Sequence, residues 1–240
     1  MLGVEAFSAL ESRTAGGLAA VPVAAASLHP HRTPPVPRRA LKRLFDVAGA
    51  LGLLAALLPV LLVVAALVKA DGGPALFAHE RIGRGGRRFG CLKFRSMVAD
   101  SAERLEALLA SDPEARAEWD ATRKLKRDPR VTAMGRFLRA SSLDELPQLL
   151  NVLRGEMSLV GPRPVQAAEL ATHYGPAAAM LYASVRPGIT GLWQVSGRSD
   201  TSYDTRVALD LRYVANPTLL GDLRILLKTP MAVLGRRGAY

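Results

Sequence analysis

The sequence predicts a mostly helical α+β protein with one short β-hairpin, attached to a membrane by a single apolar segment. Three observations predict it. Val47 to Val68, "VAGALGLLAALLPVLLVVAALV", carries no charge, and as a helix it would reach about 33 Å, enough to cross the apolar core of a bilayer. Phe77 to Ile82 and Phe89 to Phe94 read as two strands around a Gly83 to Gly86 turn. Beyond them the chain falls into helical segments punctuated by Gly and Pro.

Residues 1–37 are rich in Ala, Pro, Ser and Gly and show no lasting periodicity, which predicts a disordered extension. Residues 38–70 hold a basic collar, "RRALKR", and the apolar segment. The run is too long and starts too far from the N-terminus for a secretory signal, and a buried core helix of this length without charge is rare. Basic residues flank both of its ends: Arg38, Arg39, Lys42 and Arg43 before it, and Lys69, Arg81, Arg84, Arg87 and Arg88 after it. The positive-inside rule places both flanks on the cytoplasmic side. Pro59, near the middle, removes one helix hydrogen bond and clashes with the preceding turn. A re-entrant helix-break-helix satisfies both facts and makes the protein monotopic; a kinked spanning helix is the competing reading.

Residues 71–240 form the expected cytoplasmic domain. In its hairpin, period-two alternation puts Lys93 and Arg95 on one face and Leu92 and Phe94 on the other. Asp100 to Trp119 is helical and interrupted at Asp112-Pro113. "RVTAMGRFLRASS" is a short helix, and Leu149 to Leu153 continues a helix that Gly155 closes. "RPGITGLWQVSGRS" reads as a loop, followed by the helices "SYDTRVALDLRYV" and "PTLLGDLRILLKTPMAVLG". The last sets Leu, Ile and Met opposite Asp222, Arg224 and Lys228, which suits the core or an interfacial position on a bilayer.

The net charge of +11 calls for an anionic partner: nucleic acid, anionic lipid or a phosphorylated small molecule. The single cysteine, Cys91, excludes a disulfide within the chain, and no Cys/His metal spacing is present. Against this basic background stands "SSLDELPQ", Ser141 to Gln148, with two adjacent acids. Asp144 and Glu145 lie in the first turn of a helix, the region where Pro147 is tolerated. Carboxylates there often only cap the helix. Two ionised neighbours also repel, which a divalent cation relieves, and Mg²⁺ favours oxygen ligands shared with phosphate. Arg139 precedes the pair; Arg163 sits in "GPRP", stiffened by Pro162 and Pro164; Lys93, Arg95 and Arg186 add further cations. Singly each reads as a surface charge, but together they suggest a diphosphate site. "GRGGRR" lacks the spacing of a phosphate-binding Walker loop. Asp210 and Asp222 read as polar positions on helices.

Five blocks, "KRLFDVAGALGLLAALLPVLLVVAAL", "RIGRGGRRFGCLKFRSM", "SSLDELPQLLNVLRGEMSLVGPRP", "RPGITGLWQVSGR" and "LDLRYVANPTLLGDLRILLKT", occur in this order. The chain thereby resembles the bacterial sugar transferases, monotopic polyprenyl-phosphate phosphoglycosyl transferases, from about Lys42 to Thr229. The resemblance implies transfer of a sugar phosphate from a UDP-sugar to undecaprenyl phosphate with release of UMP, starting a polysaccharide or glycoconjugate. It implies a bacterial inner-membrane enzyme with its catalytic domain on the cytoplasmic face, and membrane lipid and downstream glycosyltransferases as partners. A homo-oligomer is compatible with it. By position it makes Asp144 the nucleophile and Glu145 its dyad partner, with Mg²⁺ held by these two. Lys93, Arg139 and Arg163 would surround the phosphates, Arg186 would contact the nucleotide, Asp210 and Asp222 would be supporting acids, and Pro59 would break the re-entrant segment. The core-only length suggests a short member of the family. Two alternatives remain: a membrane-tethered nucleic-acid-binding protein, against which stand sparse aromatics and the absence of a known motif, and a non-catalytic scaffold.

Overall fold

An unbroken run of Ala, Leu and Val builds α1 (Val36–Ala70), which carries Lys69 in its last turn. The protein is described here by a computed structural model covering residues 36–122, 125, 127–197 and 202–235; the extension expected over 1–37 lies almost wholly outside the described residues. Among these residues α1 is the one helix long and apolar enough to cross a membrane. The break expected at Pro59 is not seen: the proline lies inside one continuous helix. A proline deletes a single backbone bond, and the turns on either side keep theirs.

Both halves of α1 are held by the same domain. Near its start, Arg43 donates to the carbonyls of Val152 and Leu153, at 2.6 and 2.9 Å. Asp46, 1% exposed, accepts from Ser158 Oγ and Leu159 N–H. Towards its end, Val64 and Val68 pack with Phe94 and Leu138. Arg95 donates to Val68 O at 2.8 Å and also to the carbonyls of Gly72, Pro74 and Met97, satisfying the chain where α1 stops. Leu51, Leu58, Leu62, Val63 and Leu67 face outward.

The hairpin forms as expected. Strand β1 (Leu76–Ile82) pairs antiparallel with β2 (Arg88–Phe94), Phe77 opposite Lys93, across a 3₁₀ turn at Arg84–Gly86. Gly85 and Gly86 take positive φ there, a conformation that costs glycine little. Helices α2 (Ser101–Ser111) and α3 (Pro113–Thr122) are separated at Asp112, whose carboxylate accepts from Glu114 and Ala115 N–H. Thr132 caps α4 (Ala133–Ser141) through Gly135 N–H. Helix α5 (Gln148–Arg154) ends in the left-handed Gly155. Its Asn151 side chain accepts from Leu92 N–H and donates to Gly90 O, which fastens α5 to β2.

Two short strands and two helices add to the elements expected from sequence. Strand β3 (Ser158–Val160) pairs in parallel with β4 (Gly188–Thr190), in the stretch read as a loop. Between them lie α6 (Ala167–His173) and α7 (Gly175–Ala183). The two closing helices are α8 (Tyr203–Ala215) and α9 (Leu219–Leu234), as expected. Ile225 of α9 joins the main core with Ala50, Leu149, Val152, Met157 and Tyr213, while Leu220, Leu223, Leu227 and Met231 leave an apolar stripe exposed.

Candidate active site

The two acids stand between elements that nearly touch. Ser142 ends α4 in the left-handed region (φ 57°), rare for a residue with a Cβ. It turns the chain into a single 3₁₀ turn, Leu143–Glu145, before Pro147 leads into α5 at Gln148. The pair therefore precedes the helix rather than occupying its first turn. Beside it, β2 delivers Lys93, whose Nζ lies 2.7 Å from Glu145 Oε1 and 3.6 Å from Asp144 Oδ2. Arg163 Nη1 lies 3.6 Å from the same Glu145 oxygen. Arg139, in the last turn of α4, donates to Ser96 Oγ at 2.9 Å.

Asp144 is only 7% exposed. Burial, with Glu145 adding to it, pushes its carboxyl above the usual range, while Lys93, Arg139 and Arg163 pull the other way. A desolvated carboxylate facing cations is poised to react with an electrophile that carries negative charge. Glu145, in turn, is the largest influence keeping Arg163 charged.

Strands β3 and β4 position Arg163. Gly161 N–H donates to Thr190 O and Gly188 N–H to Pro162 O, so the "GPRP" loop is hydrogen-bonded to β4 on both sides. The Tyr182 hydroxyl bridges the carbonyls of Ile82 and Arg163 and accepts from Val165 N–H.

Lys93, Arg139 and Arg163 thus lie among the charged neighbours of the acids. Arg95 and Arg186 do not. Strand β2 ends at Phe94, so strand alternation does not carry Arg95 to the face of Lys93, and its guanidinium is committed to the carbonyls at the end of α1. Arg186 donates to Gly155 O at 2.6 Å, with Arg84, Arg43 and Asp46 as charged neighbours.

Asp210 and Asp222 are buried behind the loop rather than exposed on polar helix faces. Asp222 accepts from Lys42 Nζ at 2.8 Å and from Tyr213 OH at 2.9 Å, and Tyr213 also reaches Val160 O. Lys42 pairs with Asp46 too, so one ammonium joins α1 to α9. Among the positions missed from sequence, Asp46 and Asn151 did leave a signal, each a lone polar residue beside or within an apolar run.

Asp210 accepts from Tyr174 OH at 2.8 Å. Burial pushes its carboxyl up to about 6, against about 3.9 in an unfolded chain. The native state therefore binds more protons between those values. The stability that Asp210 contributes is complete below about pH 4 and is lost as pH rises through about 6. Asp210→Asn should flatten this part of the fall. Melting profiles from about pH 4 to 7 check it, and an unchanged slope would count against the assignment.

Among the described residues no group of three or more His, Cys, Asp or Glu could hold a metal. Asp144 and Glu145 offer two carboxylates. That donor set fits an ion such as Mg²⁺ that takes its other ligands from phosphate and water, and it does not fit a closed protein cage.

The buried Asp144 carboxylate thus lies 3.6 Å from Lys93, with Arg139 and Arg163 among its charged neighbours, in a domain that also holds a membrane-length apolar helix. The chain belongs to the bacterial sugar transferase family, whose family model matches residues 37–236. It is 57% identical over 202 residues to a UDP-galactose-lipid carrier transferase of Erwinia amylovora, and 54% identical over 202 residues to an undecaprenyl-phosphate galactose phosphotransferase of Salmonella typhimurium. These matches cover 84% of this chain and 42% of each relative, so the chain spans less than half the length of either. It is also 54% identical over 200 residues to the exopolysaccharide production protein ExoY of Rhizobium meliloti, covering 83% of this chain and 88% of that one.

Proposed function

We propose that this protein transfers a sugar phosphate from a UDP-sugar to undecaprenyl phosphate, releasing UMP and starting an exopolysaccharide or related glycan. The observation that carries the reading is the buried Asp144 with Lys93, Arg139 and Arg163 around it. Family membership and the names of its relatives support the substrate classes.

Asp144 Oδ attacks the β-phosphorus of the UDP-sugar. The bond from that phosphorus to the bridging oxygen breaks, and the oxygen leaves with UMP. The product is a sugar phosphate bound to Asp144 as an acyl phosphate. An oxygen of undecaprenyl phosphate then attacks the same phosphorus and the carboxylate is released. Lys93 and Arg163 offset the repulsion between anions. Asp144 and Glu145 would hold Mg²⁺, which when bound screens phosphate charge.

A lipid phosphate has to meet this site at a membrane. Arg43 near the start of the apolar segment bonds to Val152 and Leu153 of the domain, and Arg95 of the domain bonds to Val68 O near the segment's end, which supports a monotopic placement with both flanks on the cytoplasmic face of the inner membrane.

The test is radiolabelled UDP-galactose or UDP-glucose mixed with purified protein, without lipid. About one equivalent of label per protein should remain after denaturation, with UMP released before any acceptor is added. Unlabelled protein with strictly sequential kinetics would replace the two-step route by direct attack of the lipid phosphate. DNA binding without UMP release would favour the nucleic-acid alternative.

A further inference from the structure

Among the described residues, Nε and Nη2 of Arg206 and Oδ1 of Asp210 are buried near the site without a close hydrogen-bond partner, the Arg163 backbone N–H being the polar group that draws on the Asp210 carboxylate besides Tyr174. The two residues are one turn apart on α8 and share a face of it. Arg206 is 8% exposed and Asp210 1%. Each is steadied by its other polar edge, Arg206 Nη1 on Glu169 at 2.9 Å and Asp210 Oδ2 on Tyr174 OH. Folded proteins leave few buried polar groups unpaired, because each such group has lost its water. Here a donor edge and an acceptor atom are kept without a close partner on neighbouring turns.

The Trp193 ring lies 4.8 Å from the Arg206 guanidinium and 5.8 Å from that of Arg163. Arg163 also reaches Glu145, so one side chain connects this cluster to the reacting carboxylates. Its side chain is 33% exposed, which makes it the open side of the cluster.

We propose that Arg206, Asp210 and Trp193 form the pocket for a ring of the nucleotide-sugar that presents a hydrogen-bond donor beside an acceptor. This rests on the UDP-sugar reading above. The Arg206 N–H groups donate to a hydroxyl or carbonyl oxygen, Asp210 Oδ1 accepts from an O–H or N–H, and the indole covers an apolar ring face. Arg186, whose guanidinium is held on Gly155 O, is replaced by this cluster as the substrate-reading element. Two parts of the same substrate carry the required pattern, the hydroxyls of the sugar and the edge of the uracil.

Full-length protein and the variants Arg206→Lys, Asp210→Asn and Trp193→Phe decide it. KM and kcat for UMP release are measured with UDP-glucose, UDP-galactose and UDP-N-acetylglucosamine. Calorimetry gives Kd for each UDP-sugar and for UDP alone. Arg206→Lys and Asp210→Asn should each raise KM about tenfold, roughly the worth of one charge-assisted hydrogen bond, and by more than kcat falls. If the sugar occupies the pocket, the ranking of the three sugars changes and Kd for UDP does not. If the uracil does, Kd for UDP rises by the same factor and the ranking stays. KM, ranking and both sets of Kd values all within about twofold of wild type, with only the melting temperature lowered, would overturn the pocket. A wild-type protein silent on every UDP-sugar would instead overturn the substrate reading. The UDP-sugar Kd values would still judge the pocket, upholding it if the variants weaken them and rejecting it if they do not.

Discussion

Asp144→Asn should abolish turnover, by about a thousandfold or more, in a protein that remains folded. The amide keeps the shape of the carboxylate and cannot form the acyl phosphate. Folding should survive for an electrostatic reason. Burial already disfavours the charged form of Asp144, so a neutral side chain at that position does not add a desolvation cost. Lys93 keeps its closer partner, Glu145, at 2.7 Å. UMP release and the melting temperature are measured on the same preparation. Near-native UMP release from Asp144→Asn would remove Asp144 from the role of nucleophile, whereas loss of activity together with loss of fold would show that the acid is structural.

Gly188→Ala should be among the most damaging small substitutions away from the acids. A Cβ at Gly188 would lie 2.1 Å from Gly161 N, 2.4 Å from Thr190 O and 2.7 Å from Gly161 Cα. All three are backbone atoms, so no side chain can rotate away. The β3–β4 pair would have to separate, and with it the bond from Gly188 N–H to Pro162 O that anchors the Arg163 loop. Overpacking of this kind costs about 3 kcal/mol or more, a fall of about 10 °C in melting temperature for a chain of this size. Activity per folded molecule should fall as well, because Arg163 leaves Glu145. Gly52→Ala makes the contrast: a Cβ there meets nothing within 4 Å, and the melting temperature should hold or rise. Equal melting temperatures for Gly188→Ala and wild type would mean that the two short strands do not support the loop.

Much of the structure follows from forces that act over a few residues, and these were legible in the sequence. The apolar run inside α1, the hairpin turning at Gly83 to Gly86, the interruption at Asp112-Pro113 and the close of α5 at Gly155 are all set by local backbone preference and side-chain periodicity. The "LDELPQ" stretch marked Asp144 and Glu145 for a similar reason: two acids beside a proline in a basic chain are conspicuous by themselves.

Tertiary structure decided which cations meet those acids. Lys93 and Arg95 look equivalent along the chain, yet the end of β2 at Phe94 sends one to Glu145 and the other to the carbonyls that close α1. The parallel β3–β4 pair has three residues per strand and joins segments some thirty positions apart, too short for alternation to register and too distant for any turn signal. Pro59 has the opposite lesson. Its local effect is real, but one missing backbone bond does not divide a helix whose two ends are held by Arg43, Asp46 and Arg95 on a single domain. Asp210 and Asp222 became buried acids because α8 and α9 turn them towards Tyr174, Tyr213 and Lys42, partners that no helical periodicity could name.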